Sequence, residues 1–484
     1  MTTMNKSEDR RRWWALYVLC MGSLMIVLDA TIVTVALPSI RDSLGFSQTS
    51  LAWVVNAYLI TFGGFMLLGG RLGDLYGHRK LFLIGLFFFI LTSLACGVAP
   101  TQWLLVSARA LQGIAGAVVD SIALSLIMDL FPEPTDRAKA MGVFGAVCAS
   151  GGSIGVLLGG VLTSSLDWHW VFLVNLPVGI AVILFTLKLV PSSRRAMKRT
   201  SLDIGGAVTI TAALMIAVYA MLNGNDVGWL TVQTLGLLSV SVLLIILFLF
   251  IEKRILHPLV MLSLFRLRNL ATANVISMLW AAGMFAQSFF TALYLQLVLH
   301  YNPMQVGLAF LPSNVAMAIL SFGVSARVVS RFGIKPPLFT GVLMSSAGLA
   351  LLALVPVGGT YLVHVLPGTM LIGLGAGIAF NPIMLAAMND APADQSGLAS
   401  GLVNTSFMIG GALGLATLAS IAAWYTGVSS ANGLDHNSAL TAGFDAAFLA
   451  GALLALLAGA LGVLLRTSSA SAAIAPHSAA VAVE

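Results

Sequence analysis

Trp13-Trp-Ala-Leu-Tyr-Val-Leu-Cys-Met-Gly-Ser-Leu-Met-Ile-Val-Leu-Asp-Ala-Thr-Ile-Val-Thr-Val-Ala-Leu37 is an apolar run broken by a single acid, Asp29. A helix needs about 20 such residues to cross a hydrocarbon core roughly 30 Å thick. The basic segment before it, Lys6 to Arg12, gives the charge order of a signal peptide. The run is too long for a signal peptide's apolar region, so it reads as a retained first span.

Similar runs fill the rest of the chain. Of its 484 residues, 59% are hydrophobic and 9% are charged, against about 25% charged in a soluble domain. So few charges cannot cover a surface in water. Fourteen spans are expected, with cores at 13–37, 51–70, 81–99, 103–130, 139–163, 168–189, 203–222, 230–251, 270–299, 306–327, 338–356, 361–388, 398–424 and 443–465. In hydrocarbon the backbone must satisfy its own hydrogen bonds, so the spans are helices. The 48 glycines suit close helix contact in lipid.

The charge distribution tests this count. The net charge of +6 would suit nucleic acid, but the basic residues sit in short loops between apolar runs. All of the 24 Lys and Arg except Arg41 and Arg109 fall at the two termini, in even-numbered loops or at the span ends beside them. By the positive-inside rule both termini are cytoplasmic, and a bacterial inner membrane is the expected location. Cys20, Cys96 and Cys148 all lie in apolar runs without a CxxC pair, so neither a disulfide nor a metal site is implied.

The loop after span 2, Gly70-Arg-Leu-Gly-Asp-Leu-Tyr-Gly-His-Arg-Lys80, is echoed after span 10 by Ala326-Arg-Val-Val-Ser-Arg-Phe-Gly-Ile-Lys-Pro336. Aligned on Gly77 and Gly333, Arg71 meets Arg327, Tyr76 meets Phe332 and Arg79 meets Lys335. Equivalent loops eight spans apart fit two six-helix halves with two further helices between them, a recurring transporter plan. The expected organisation is a cytoplasmic N-terminus (1–12), an N-terminal bundle (13–190), linkers with two additional helices (191–269), a C-terminal bundle (270–466) and a disordered tail (467–484).

Four motifs carry a family resemblance. They are Leu28-Asp-Ala-Thr-Ile-Val-Thr-Val-Ala-Leu-Pro38, the loop Gly70 to Lys80, Arg109-Ala-Leu-Gln-Gly113, and Trp168-His-Trp-Val-Phe-Leu-Val-Asn-Leu-Pro-Val-Gly179. With these the chain resembles the fourteen-spanner drug:proton antiporters of the major facilitator superfamily along nearly its whole length. Thr34 stands where that family usually has Asn. The resemblance implies an all-α fold of two six-helix bundles and proton-coupled efflux by alternating access.

The intramembrane charges carry the chemistry. A charge inside a span is costly enough to mark function. Counting 1.5 Å per residue puts Asp29 roughly 24 Å and Arg109 roughly 20 Å above the inner face, so the two can pair. The resemblance implies that Asp29 carries the proton and Arg109 tunes it; a static structural ion pair is the alternative. Asp120 lies 11 residues after Arg109, near three turns and so on the same face. It is a candidate second proton or cation site, or a partner for Arg109, or simply a residue of the inner vestibule. Asp129 and Asp203 read as interfacial.

In the loop, the resemblance implies a gate. Gly70 and Gly77 allow tight turning, Asp74 can sit at a helix N-terminus across the bundle interface, and Arg71 and Arg79 can pair with acids. Holding the loop inside by charge alone is the plainer reading. Gly151-Gly-Ser-Ile-Gly-Val-Leu-Leu-Gly-Gly160 resembles the fifth-span antiporter motif, with Val156 where that motif has Pro. Gly151, Gly155, Gly159 and Gly160 are the expected packing residues. In span 13, Phe407 and Met408 stand where many relatives carry Arg and Gln. Expected cargo contacts are Asn56, Tyr58, Gln112, Phe290, Tyr294 and Asn404.

Together these point to export of amphipathic small molecules, cationic ones among the candidates, in exchange for protons. An exporter of one metabolite, such as an antibiotic or siderophore, is the alternative. No P-loop GxxxxGK[ST] or HExxH occurs, which argues against ATP coupling and against a metallopeptidase-type enzyme. No organic cofactor, metal or nucleic acid is implied; membrane lipid is the surrounding partner and a monomer the expected state.

Overall fold

The structure is a computed structural model that describes residues 6–191, 202–255, 258–389, 391 and 396–465. The expected tail, 467–484, and most of the loop after span 6 lie outside the described residues. The N-terminal half contains α1 (Lys6–Leu44), α2 (Trp53–Tyr76), α3 (His78–Gly97), α4 (Gln102–Leu130), α5 (Pro134–Ser165) and α6 (Asn175–Leu189). Two helices follow, α7 (Ile204–Val227) and α8 (Val232–Arg254). The C-terminal half contains α9 (Arg268–Leu293), α10 (Pro303–Ile319), α11 (Lys335–Leu352), α12 (Leu366–Asn389), α13 (Ser396–Ala431) and α14 (His436–Leu461). No strand occurs among the described residues.

Among the described residues, 12 helices are long and apolar enough to cross a membrane. The expected spans 10 and 11 fall on α10 and α11, which do not reach that standard. Length explains the first, since the apolar α10 has 17 residues before a π-helical turn at Leu320–Val324, and composition the second, since α11 opens on Lys335-Pro-Pro337. The chain is therefore a multi-pass α-helical membrane protein.

The two halves repeat one packing scheme. In the first, α1 packs on α5 and α6, and α4 packs on α2 and α3. In the second, α9 packs on α13 and α14, and α12 packs on α10 and α11. The halves meet along α5–α10 and along α2–α13. Helix α7 lies against both α2 and α13 at that second seam, and α8 packs on α7. The sequence echo has a structural counterpart, because Gly77 and Gly333 each end a helix with positive φ, 93° and 78°. Side chains other than glycine rarely adopt that conformation.

The glycines of α5 hold backbones close. A Cβ on Gly155 would strike the Thr31 hydroxyl and approach the Leu28 carbonyl, and one on Gly159 would meet the Ile32 carbonyl, all on α1. Gly160 instead faces the Pro303 carbonyl at the start of α10, across the seam between halves. The Gln296 amide also donates to the Val35 carbonyl at 2.9 Å, and the Met304 N–H to the Ser164 hydroxyl at 2.9 Å. These contacts join the two halves at the end away from the N-terminus.

Overpacking a close contact costs about 1–3 kcal/mol. Gly159→Ala is expected to lower the thermal unfolding midpoint of the detergent-purified protein. Gly427→Ala, at a position with open space around it, should leave the midpoint unchanged or raise it. Equal midpoints for both variants would remove backbone contact as the reason for glycine at 159.

Candidate functional site

Asp29 and Arg109 meet inside the N-terminal half. Arg109 Nη1 donates to Asp29 Oδ2 at 2.5 Å, and the two side chains are 0% and 1% exposed. The carboxylate's other oxygen, Oδ1, accepts from Gln112 Nε2 and Asn175 Nδ2, each at 2.8 Å. Gln112 also donates to the Ser93 hydroxyl at 2.7 Å. The guanidinium donates further to the Gln112 Oε1 at 2.7 Å and the Val54 carbonyl at 3.0 Å. Its carbon stands 4.3 Å from the Tyr58 ring centroid, within cation–π range. Five helices, α1, α2, α3, α4 and α6, thus converge on one charge pair.

The fork geometry of arginine lets one cation satisfy a carboxylate, an amide and a backbone carbonyl together. Taking a carboxyl out of water favours its neutral form, while a guanidinium beside it favours the charged form. Such a site can hold either state if its neighbours move by small amounts.

Asp120 is not a partner of Arg109. It lies farther along α4, next to Ser23 of α1 and within electrostatic reach of Tyr58. Asn56 is fully buried, and neither of its amide atoms has a partner among the described residues.

A cavity of ≈ 800 Å³, its mouth included, lies between the halves. Thr31 and Thr34 of α1 and Gly152 and Val156 of α5 form one wall. The other comes from the C-terminal half, with Gln287, Ser288, Phe310, Asn314, Thr369 and Phe407 among its residues. None of the six expected cargo contacts lines it. Gln112 and Tyr58 belong to the buried charge network. Phe290 packs on Phe289, Phe444 and Phe448, and the Tyr294 hydroxyl donates to the Pro356 carbonyl at 2.7 Å. Asn404 and Asn56 lie elsewhere on α13 and α2. Phe290 is turned into the contact of α9 with α14, where Phe444 and Phe448 lie, and Tyr294 stands beyond α9 in the π-helical turn Tyr294–Val298, past the lining residues Met284 to Ser288.

The α2–α3 loop is tied into its own half. Arg79 donates to the Leu187 carbonyl at 2.5 Å rather than to an acid, and the His78 ring lies 2.9 Å from Asp129. Arg71 and Asp203 lie beside the carboxyl of Glu252, near the end of α8. Asp203 is buried in the protein at the start of α7, which it caps by accepting from the Gly206 N–H at 2.7 Å. Glu252 is buried too and accepts from the Val260 N–H. Gly70 has open space beside it. The side chain of Asp74 lies outside the described residues.

Sequence reasoning missed Asn175, Ser93 and Glu252. The signal available for the first two was a polar residue inside an apolar run, a criterion that also selects many packing residues.

Two packed helical halves around a cavity, with an ion pair sealed in one half, follow the architecture of a secondary transporter built from repeated halves. The comparisons agree. The chain matches the Major Facilitator Superfamily over residues 19–415, and it belongs to that superfamily. It is 38% identical to the puromycin resistance protein pur8 of Streptomyces alboniger, covering 91% of this chain and 87% of that one. It is 35% identical to the cephamycin export protein CmcT of Amycolatopsis lactamdurans, covering 87% of each. The crystal structure of the human organic anion transporter MFSD10 superposes with a TM-score of 0.63 at 18% identity, covering 93% of this chain and 99% of that one. This last likeness concerns the fold alone.

A hydrogen bond to a charged group contributes about 1.5–3 kcal/mol. Asn175→Leu is expected to lower the unfolding midpoint by that order, read by intrinsic fluorescence on heating. A midpoint equal to wild type would show that the carboxylate does not depend on this donor.

Proposed function

We propose that this chain is a proton-coupled exporter of amphipathic small molecules. The observation that carries the reading is the sealed Asp29–Arg109 pair, whose acid sits on the same helix as Thr31 and Thr34 of the cavity wall. Asp29 faces the N-terminal half, and Thr31, two residues on, faces the cavity. Asp29 takes up a proton from one side and releases it to the other, and Arg109 holds the carboxylate after release until the next proton arrives. Proton uptake biases the halves toward one orientation only if the two states bind the proton unequally. The relatives named for puromycin resistance and cephamycin export support efflux as the direction.

On this reading the chain crosses the membrane fourteen times, with α10 and α11 counted as spans and both termini at the basic, cytoplasmic face. Residues 13–190 and 270–466 are the rocking halves, and 191–269 carries the two additional helices. The α2–α3 loop with Arg71 and Arg79 is a gate element, and Asp120 stands in the vestibule between Asp29 and the basic face. Export of a single metabolite is the second reading; the names of the two antibiotic-linked relatives favour it. A deletion strain sensitised to one compound rather than many would select it.

The deciding measurement is transport by purified protein in liposomes under an imposed pH gradient. Asp29→Asn is expected to abolish gradient-driven flux while keeping cargo exchange at equal pH on both sides. Gradient-driven flux equal to wild type would remove Asp29 from the coupling step.

A further inference from the structure

The chemistry of the cavity wall restricts what it can hold. Among the described residues that line it, none carries an ionisable side chain. Asp29 and Arg109, the nearest charges identified, are sealed off and satisfied by each other and by their amide neighbours. Asp120 is not part of the wall and lies about 16 Å along α4 from Arg109, at 1.5 Å per residue.

The polar groups of the wall are mostly committed. The Thr31 hydroxyl donates to the Val27 carbonyl at 3.0 Å, that of Ser313 to the Phe310 carbonyl at 2.9 Å, and that of Thr369 to the Leu366 carbonyl at 3.1 Å. The Gln287 amide donates to the Thr291 hydroxyl at 3.3 Å. Two lining side chains make no hydrogen bond to any described residue, the amide of Asn314 on α10 and the hydroxyl of Thr34 on α1. They come from opposite halves of the protein. A free amide offers both a donor and an acceptor.

The aromatic part is committed as well. Phe407 packs edge-on or tilted against Phe285 at 5.6 Å, Trp280 at 5.8 Å and Phe380 at 6.0 Å between centroids. Its ring thus forms part of a shared aromatic floor rather than a cage around a cation. An unpaired cation moved from water to such a wall loses hydration that dipoles alone replace poorly, whereas a neutral group needs only its hydrogen bonds met.

We propose that the cavity takes uncharged aromatic cargo bearing a carbonyl-type hydrogen-bond acceptor, with Asn314 as the anchoring and specificity-determining side chain and Thr34 as its counterpart on the other half. This rests on the cavity being the cargo site, and it narrows the expectation from sequence that cations are among the cargo.

The test uses the purified full chain and two probes on one tricyclic frame, neutral N-methylacridone, which has a ring carbonyl, and N-methylacridinium, a permanent cation without it. Binding is read by fluorescence in detergent, and flux in liposomes under a pH gradient. Wild type is expected to bind N-methylacridone more tightly than the cation. Asn314→Leu should weaken N-methylacridone by up to about tenfold, the size of one lost hydrogen bond. Asn314→Asp, which keeps the shape should the leucine variant fail to fold, should reverse the preference. Equal or tighter binding of the cation by wild type, binding of neither probe, or an Asp variant with the wild-type preference would overturn the proposal. The expected preferences without gradient-driven flux would leave this inference standing and sink the efflux reading instead.

Discussion

An acid and a guanidinium that touch no solvent, in a bundle built for hydrocarbon, set the terms for the N-terminal half. Separating such charges is costly, and so is burying either one alone. The half therefore assembles around them. Helix α1 brings the carboxylate, α4 the guanidinium and Gln112, α6 the Asn175 amide, α3 the Ser93 hydroxyl and α2 the Val54 carbonyl. A proton on Asp29 would cancel one charge of the pair and change the demand on every one of these partners. Helix α1 also carries Thr31 and Thr34 in the cavity wall and the Val35 carbonyl that receives Gln296 from the other half. One rigid element is thus shared by the titrating group, the cavity and the seam, which gives proton uptake a direct mechanical path to both.

The two halves share a packing scheme but not a chemistry. Where the first half closes on an ion pair, the second presents amides, hydroxyls and phenyl rings. One of its buried polar contacts, the Ser406 hydroxyl to Asn274 at 2.6 Å, is neutral on both sides. The buried ion pair lies in one half and most of the polar cavity wall in the other, so the cavity is complete only when both are docked.

Much of this was legible in the sequence, for physical reasons that differ between features. Span positions follow from hydrocarbon thickness and composition, and the similar depth of Asp29 and Arg109, which lets them pair, follows from counting helical rise along two antiparallel spans. The inward face of each helix was not legible. In water a helix advertises its buried side by its apolar stripe, but in lipid both sides are apolar and that signal vanishes. Phe290 and Tyr294 therefore looked as much like cargo contacts as Met284 or Phe285, and only the last two line the cavity. The cluster around Glu252 was not legible for another reason. Asp203 opens α7 and Glu252 lies near the end of α8, and only the packing of α7 at the α2–α13 seam brings both beside Arg71. Three positions where the sequence departs from the family motifs, Thr34, Val156 and Phe407, proved to line one cavity. Departures scattered over three spans became a single surface once the helices were placed.

That surface bears on the energetics of the exchange. If the cargo is uncharged, moving it outward while a proton moves inward transfers one net positive charge per proton. The membrane potential then adds to the pH gradient as a driving force, worth about 2.3 kcal/mol per charge for each 100 mV. A monovalent cation exchanged for one proton would leave only the pH gradient to act. The absence of an acid from the described cavity wall is therefore more than a statement about recognition. On the proposed coupling, a proton carried at Asp29, in a place separate from the cavity, leaves both components of the proton-motive force to act on cargo that carries no charge of its own.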